Sequence, residues 1–130
     1  MPHLALTTLL CRDYDEAIDF YVNRLSFDLL EDTDLGNGKR WVRVAPKGSQ
    51  SSALLLARAT TDAQIAVIGN QAGGRVFLFI HTDDFDRDYA ALIARGVTIA
   101  RQPSREPYGT VAVFEDLYGN RIDLIAPRPC

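Results

Sequence analysis

Four polar side chains stand where strands could aim them at a small molecule: Thr8, Arg43, His81 and Asp123. His81, in the apolar run Val76 to Thr82, has the chemistry of a general base or a ligand donor. Its plain alternative is a core or pocket-rim histidine bonded to a neighbour. Arg43 carries a planar fork that could clamp a ligand carboxylate or phosphate at two points, or pair with Asp123 or another acid. Asp123 could contact a ligand or serve only as an ion-pair partner. Around them Trp41, Phe77 and Phe79 offer rings for a planar ligand, though aromatic residues at alternating strand positions also serve as simple core. Tyr108 flanks the last hairpin and completes the candidate binding set.

Other chemistries lack their residues. There is no Ser-His-Asp arrangement, nucleophile elbow, phosphate-binding glycine loop or paired-carboxylate signature. Cys11 lies in an apolar run and reads as a small buried hydrophobe, Cys130 is terminal, and neither has zinc-type or CxxC spacing. His3 lies near the end of the chain, and no role is expected for it. Lys and Arg total 14 against 17 Asp and Glu, interspersed, giving a net charge of −3. A nucleic-acid partner calls for a basic stripe, and none is present. No stretch is long and apolar enough to span a membrane, and the start lacks a basic segment followed by an apolar one. The expectation is a cytoplasmic protein with reduced thiols and no cofactor.

The elements that must position these side chains come in two copies. Leu4 to Cys11 and Val76 to Thr82 are apolar runs, each leading into an acidic-aromatic start, Asp13-Tyr14-Asp15 and Asp84-Phe85-Asp86, at an offset of 71 residues. Tyr14, Ile18 and Tyr21 keep that offset to Phe85, Tyr89 and Leu92, and their three-and-four spacing makes one apolar helix face. Asp13 and Asp84 (or Asp83) are the expected N-caps, with Glu16 completing a capping box. Gly96 ends the second helix, and Ser26 holds the matching place in the first. Three strands follow each helix: Phe27 to Glu31, Arg40 to Val44 and Ala53 to Ala57, then Val97 to Arg101, Thr110 to Phe114 and Arg121 to Ala126. Ala63 to Ile68 reads as a short helix and Gly69 to Gly74 as a flexible connector. The unit is βαβββ, with repeat one at about 4–58, a connector at about 59–74 and repeat two at about 75–127.

This repeat resembles the vicinal oxygen chelate superfamily, which includes glyoxalase I, bleomycin- and fosfomycin-resistance proteins and extradiol dioxygenases. The likeness is carried by Asp13 to Leu25, with Asp19-Phe20-Tyr21 and then Leu25-Ser26-Phe27, and by Val113-Phe114-Glu115-Asp116-Leu117-Tyr118-Gly119-Asn120-Arg121-Ile122-Asp123-Leu124. Ser26 replaces the usual glycine and Leu117 the usual proline. The resemblance covers essentially the whole chain and implies a single α+β domain, two βαβββ repeats forming a curved mixed sheet around a pocket. It is specific for fold and poor for function.

In metal-dependent members four strand positions supply His or Glu ligands. Transferred through the repeat, they fall on Leu6, Leu54, Phe77 and Asp123. One carboxylate and three hydrophobes cannot replace a cation's water shell, and neighbouring positions are no better. No metal is expected there. Alternation places Phe77, Phe79 and His81 on the cavity face with Leu6, Thr8 and Leu10, and turns Trp41 and Arg43 away from Val42 and Val44. The expected function is binding or sequestration of an aromatic or amphipathic small molecule, in a homodimer. The alternative is a metal-independent or atypical-metal lyase, isomerase or dioxygenase of the same superfamily, with His81 as the catalytic candidate.

Overall fold

The computed structural model describes residues 1–49 and 52–128, so Cys130 lies outside the described residues. Within it the chain divides into two compact units, residues 1–68 and 69–130.

In the first unit, strand β1 (Leu6–Cys11) leads into helix α1 (Tyr14–Asp19). The Asp13 carboxylate accepts a hydrogen bond from the Glu16 amide at 2.9 Å, and Asp15 and Glu16 suit the positive helix end. Phe20–Arg24 continues as one π-helical turn. Ser26 then reverses the chain at φ 60°, as Gly96 does at φ 71° in the second unit. Strands β2 (Phe27–Gly36), β3 (Lys39–Pro46) and β4 (Ala53–Arg58) follow. β4 pairs parallel with β1 and antiparallel with β3, giving the order β1-β4-β3-β2.

β2 runs five residues beyond the expected Glu31. Its polar tail buries nothing, so apolar alternation could not reveal it. Pairing with β3 and the Arg40 guanidinium, bonded to Asp32 at 2.7 Å and Asp15 at 2.9 Å, hold it in place. Asn37 (φ 57°) and Gly38 (φ 78°) make the tight hairpin, a two-residue turn with both dihedrals positive.

The second unit repeats the plan: β5 (Val76–His81), α3 (Phe85–Ala94), β6 (Ile99–Glu106), β7 (Gly109–Glu115) and β8 (Arg121–Pro127), in the order β5-β8-β7-β6. Asp84 caps α3 by accepting from the Arg87 amide. β6 was expected to end at Arg101. It continues past Pro103 because that residue lies on an edge strand where the register slips between Arg101 and Ser104, a place that tolerates a missing N–H.

Helix α2 (Asp62–Ala66) starts one residue before the expected Ala63, because Thr61 caps it by accepting from the Gln64 amide. The stretch read as a flexible connector is instead docked on the last hairpin. The Gln71 amide donates to Asn120 Oδ1, and a Cβ on Gly69 would meet the Tyr118 carbonyl oxygen at 2.0 Å. In that hairpin Asp116 accepts from the Tyr118 and Asn120 amides and the Asn120 side chain, each at 2.9 Å. Asp116 thus closes the turn through its own side chain.

Buried apolar faces hold each sheet. In the first, Leu9, Cys11, Val42, Val44 and Leu56 are fully inaccessible, with Ala17 and Tyr21 of the helical segment. In the second, Ala112, Phe114, Ile122 and Leu124 play the same part. Burial of a leucine- or phenylalanine-sized side chain contributes about 1.5–3 kcal/mol.

Candidate functional site

Directly paired residues on neighbouring strands share a face of the sheet. In the second unit this rule lines up one residue from each strand: Phe79 opposite Asp123, Asp123 opposite Val113, and Val113 opposite Arg101. In the first unit the corresponding row is Thr8, Leu55, Arg43 and Glu31. These two rows hold four of the eight candidate binding residues.

The register corrects one assignment. The mate of Asp123 is Leu55, not Leu54. Leu54 pairs with Thr7, shares the buried face of Leu9 and is 6% exposed. Matching Leu55 to Leu124 by residue type alone is one residue out of step with the pairing of Thr8 to Leu55 and of Phe79 to Asp123, and β5 and β8 also shift register between Val76 and Leu78. Phe77 sits in that irregularity without a partner in β8, and is half-buried.

The first row is closed on itself. Arg43 Nε donates to Glu31 Oε1 at 2.9 Å, and the Thr33 hydroxyl donates to Glu31 Oε2 at 3.1 Å. The hydrogen bond from Arg43 holds the Glu31 carboxyl below its ordinary range, with Thr33 and the Trp41 indole adding to it. Arg43 therefore has its acid in Glu31. Trp41 is half-buried two residues along β3, opposite Thr33, and Thr8 is exposed.

The second row is open. Phe79 is 63% exposed, whereas Val113 is 8% and Asp123 9% exposed. Among the described residues Asp123 has no hydrogen-bond or ion-pair partner. Burial pushes its carboxyl above the ordinary range, while the Arg101 charge pulls the other way. Beside the row a cleft of about 400 Å³ is lined by Phe79, Val113, Arg101, Arg121, Arg75 and Val76. His81 pairs with Ile125 on this face, is exposed, and has no hydrogen-bond or ion-pair partner among the described residues. Tyr108 stands apart in the β6–β7 turn, 55% exposed, its carbonyl accepting from the Arg128 amide.

Arg75, Arg101, Arg121 and Glu31 were not among the residues expected at the site. The repeat offset carries Arg43 to Val113 and Glu31 to Arg101, but only once the bulges are known. Arg121 was within reach of simple alternation, two residues before Asp123 on one strand.

Two repeats of this topology with this motif place the chain in a known class. The family described as Glyoxalase/Bleomycin resistance protein/Dioxygenase superfamily matches residues 1–124, and the chain belongs to it. An uncharacterized protein of Shewanella frigidimarina (strain NCIMB 400) is 59% identical over 95% of this chain and 90% of its own. Among solved structures, UcmS2 superposes with a TM-score of 0.84 at 27% identity, covering 96% of this chain and 98% of its own. TnmS3, an antibiotic binding protein from Streptomyces sp. CB03234, superposes at 0.78 with 35% identity, covering 98% of each chain.

Members of this family that use a metal need about three donors from the protein. The open face of the second unit offers two, Asp123 and His81, set on neighbouring strands. Among the described residues no three His, Cys, Asp or Glu side chains gather closely enough to hold an ion. The residues do not fit a divalent cation, and no chemistry is routed through one.

Proposed function

We propose that this protein binds an aromatic or amphipathic small molecule on the open face of its second unit, without a metal ion. One observation carries the reading: Phe79 is mostly exposed on a strand whose neighbours are buried, and it borders a cleft with one apolar wall and a cationic rim. An exposed ring backed by a rigid sheet gives a stacking surface that orders few side chains on binding. The likeness to an antibiotic binding protein over essentially the whole chain supports the same reading. Phe77 and His81, on the same strand, remain candidate contacts of lower rank. A catalytic base is normally oriented by a second group, and His81 has none among the described residues, which favours binding over turnover.

Thermal shift with a panel of naphthalene, indole and quinoline derivatives in EDTA tests this. A hundredfold excess over Kd raises Tm on the order of 10 °C by mass action, and Phe79→Ala removes the shift. A panel without effect, or one whose effect requires added Fe, Mn, Ni or Zn, contradicts the proposal.

A further inference from the structure

The open cleft is not neutral: Arg75 just before β5, Arg101 on β6 and Arg121 on β8 rim it, and Asp123 stands two residues beyond Arg121 on β8. Of its three arginines, Arg101 reaches Glu106 at 3.4 Å. No ion pair among the described residues includes Arg75 or Arg121, although Glu115 is the cross-strand neighbour of Arg121. Asp123 presents the complementary need. It is a carboxylate with nine-tenths of its surface buried, between Phe79 and Val113 in the ladder, with no protein hydrogen-bond partner among the described residues and its oxygens still reached by solvent. Such a group is stabilised when a ligand brings the missing hydrogen bond.

Arg121 and Asp123 alternate on β8, so their side chains leave the same face. Two residues of strand separate their Cα atoms by roughly 7 Å, about the reach of one aromatic ring with substituents at opposite ends. Phe79 and Val113 supply the apolar surface on either side of Asp123.

We propose that the cleft takes an aromatic acid bearing a hydroxyl at its far end: the acid group held by Arg121 and Arg75, the ring against Phe79 and Val113, the hydroxyl donating to Asp123. The inference rests on the binding function proposed above and names its ligand class. An acid without the far donor leaves Asp123 unsatisfied. A donor without the acid leaves two guanidinium groups unused.

Titrations of the ¹⁵N-labelled full chain at low ionic strength, followed by NMR, test each end separately. The probes are 4-hydroxybenzoate, its methyl ester and 4-methoxybenzoate. The expected order is 4-hydroxybenzoate first, by about tenfold over the ester and several-fold over the methoxy acid. Arg121→Gln is expected to collapse the preference for acid over ester. Asp123→Leu, which installs the residue type that Leu55 already supplies at the equivalent place, is expected to abolish the preference for hydroxyl over methoxy while leaving the acid preference intact. Asp123→Asn, which keeps an acceptor, is expected to retain part of it. Acid and ester binding equally, in a manner that Phe79→Ala weakens, would overturn the ligand class and leave the binding function standing. Probes that bind with no dependence on Phe79, or not at all, would overturn both.

Discussion

At the scale of single residues the signs of the titrations are informative. Burial raises the Asp123 carboxyl, so its ionised form is disfavoured in the fold. Its contribution to stability is complete below the unfolded carboxylate range and is lost as pH rises through the folded value. Asp123→Asn is therefore expected to raise the urea midpoint at pH 7, with the gain shrinking on acidification. A variant less stable at pH 7 would show that Asp123 has a partner after all. Glu31, Asp32 and Asp88 have the opposite sign, each lowered chiefly by a hydrogen bond from an arginine (Arg43, Arg40 and Arg87). Their contribution is present above the unfolded range and lost as pH falls. Cys11 is buried beneath α1, and desolvation, with Asp13 next, pushes its thiol up to about 11. In a Cys130→Ser background the native protein should leave Cys11 unmodified by a thiol reagent at pH 8 until urea unfolds it. Rapid native labelling would contradict that burial.

At the scale of elements, the last hairpin is the part most sensitive to a single atom. Gly69→Ala places a Cβ against the Tyr118 carbonyl oxygen at a backbone φ of 78°, two independent conflicts. A loss of about 2–4 kcal/mol is expected, measured by chemical denaturation. Asp116→Ala removes three hydrogen bonds in a buried turn and should cost about 2–3 kcal/mol. If Gly69→Ala leaves the midpoint unchanged, the docking of 69–74 on the hairpin is wrong; if Asp116→Ala does, the bonded turn is. Elements were legible in the sequence wherever a local rule decides them: the caps at Asp13 and Asp84, and the apolar runs of β1 and β5. Boundaries failed where tertiary pairing decides. The polar tail of β2 is held by Arg40, and β6 survives Pro103 because it is an edge. Gly69 looked like a linker glycine because its close neighbour lies far along the chain.

At the scale of the molecule, family membership was readable from the βαβββ repeat and the final hairpin, since both are patterns in order along the chain. The candidate site was readable only in part. Alternation groups Phe77, Phe79 and His81, whereas the strand register sets Asp123 opposite Phe79 and leaves Phe77 in a bulge. The row joining Phe79 to Arg101 depends on bulges between Val76 and Leu78 and around Pro103, which no periodicity announces. The mate of Asp123 is Leu55 and not Leu54, because a match of leucines between β4 and β8 cannot fix register to one residue. Both residues are apolar.

The central claim is that the exposed ring of Phe79 and the sheet behind it form a metal-free site for an aromatic molecule. Calorimetric titration with 2-naphthoate in EDTA tests it most directly. Saturable 1:1 binding is expected, unaffected by the chelator and weakened roughly fivefold or more by Phe79→Ala, as loss of a stacking contact of about 1 kcal/mol or more requires. Binding that disappears with EDTA, or that survives Phe79→Ala at full strength, would contradict it.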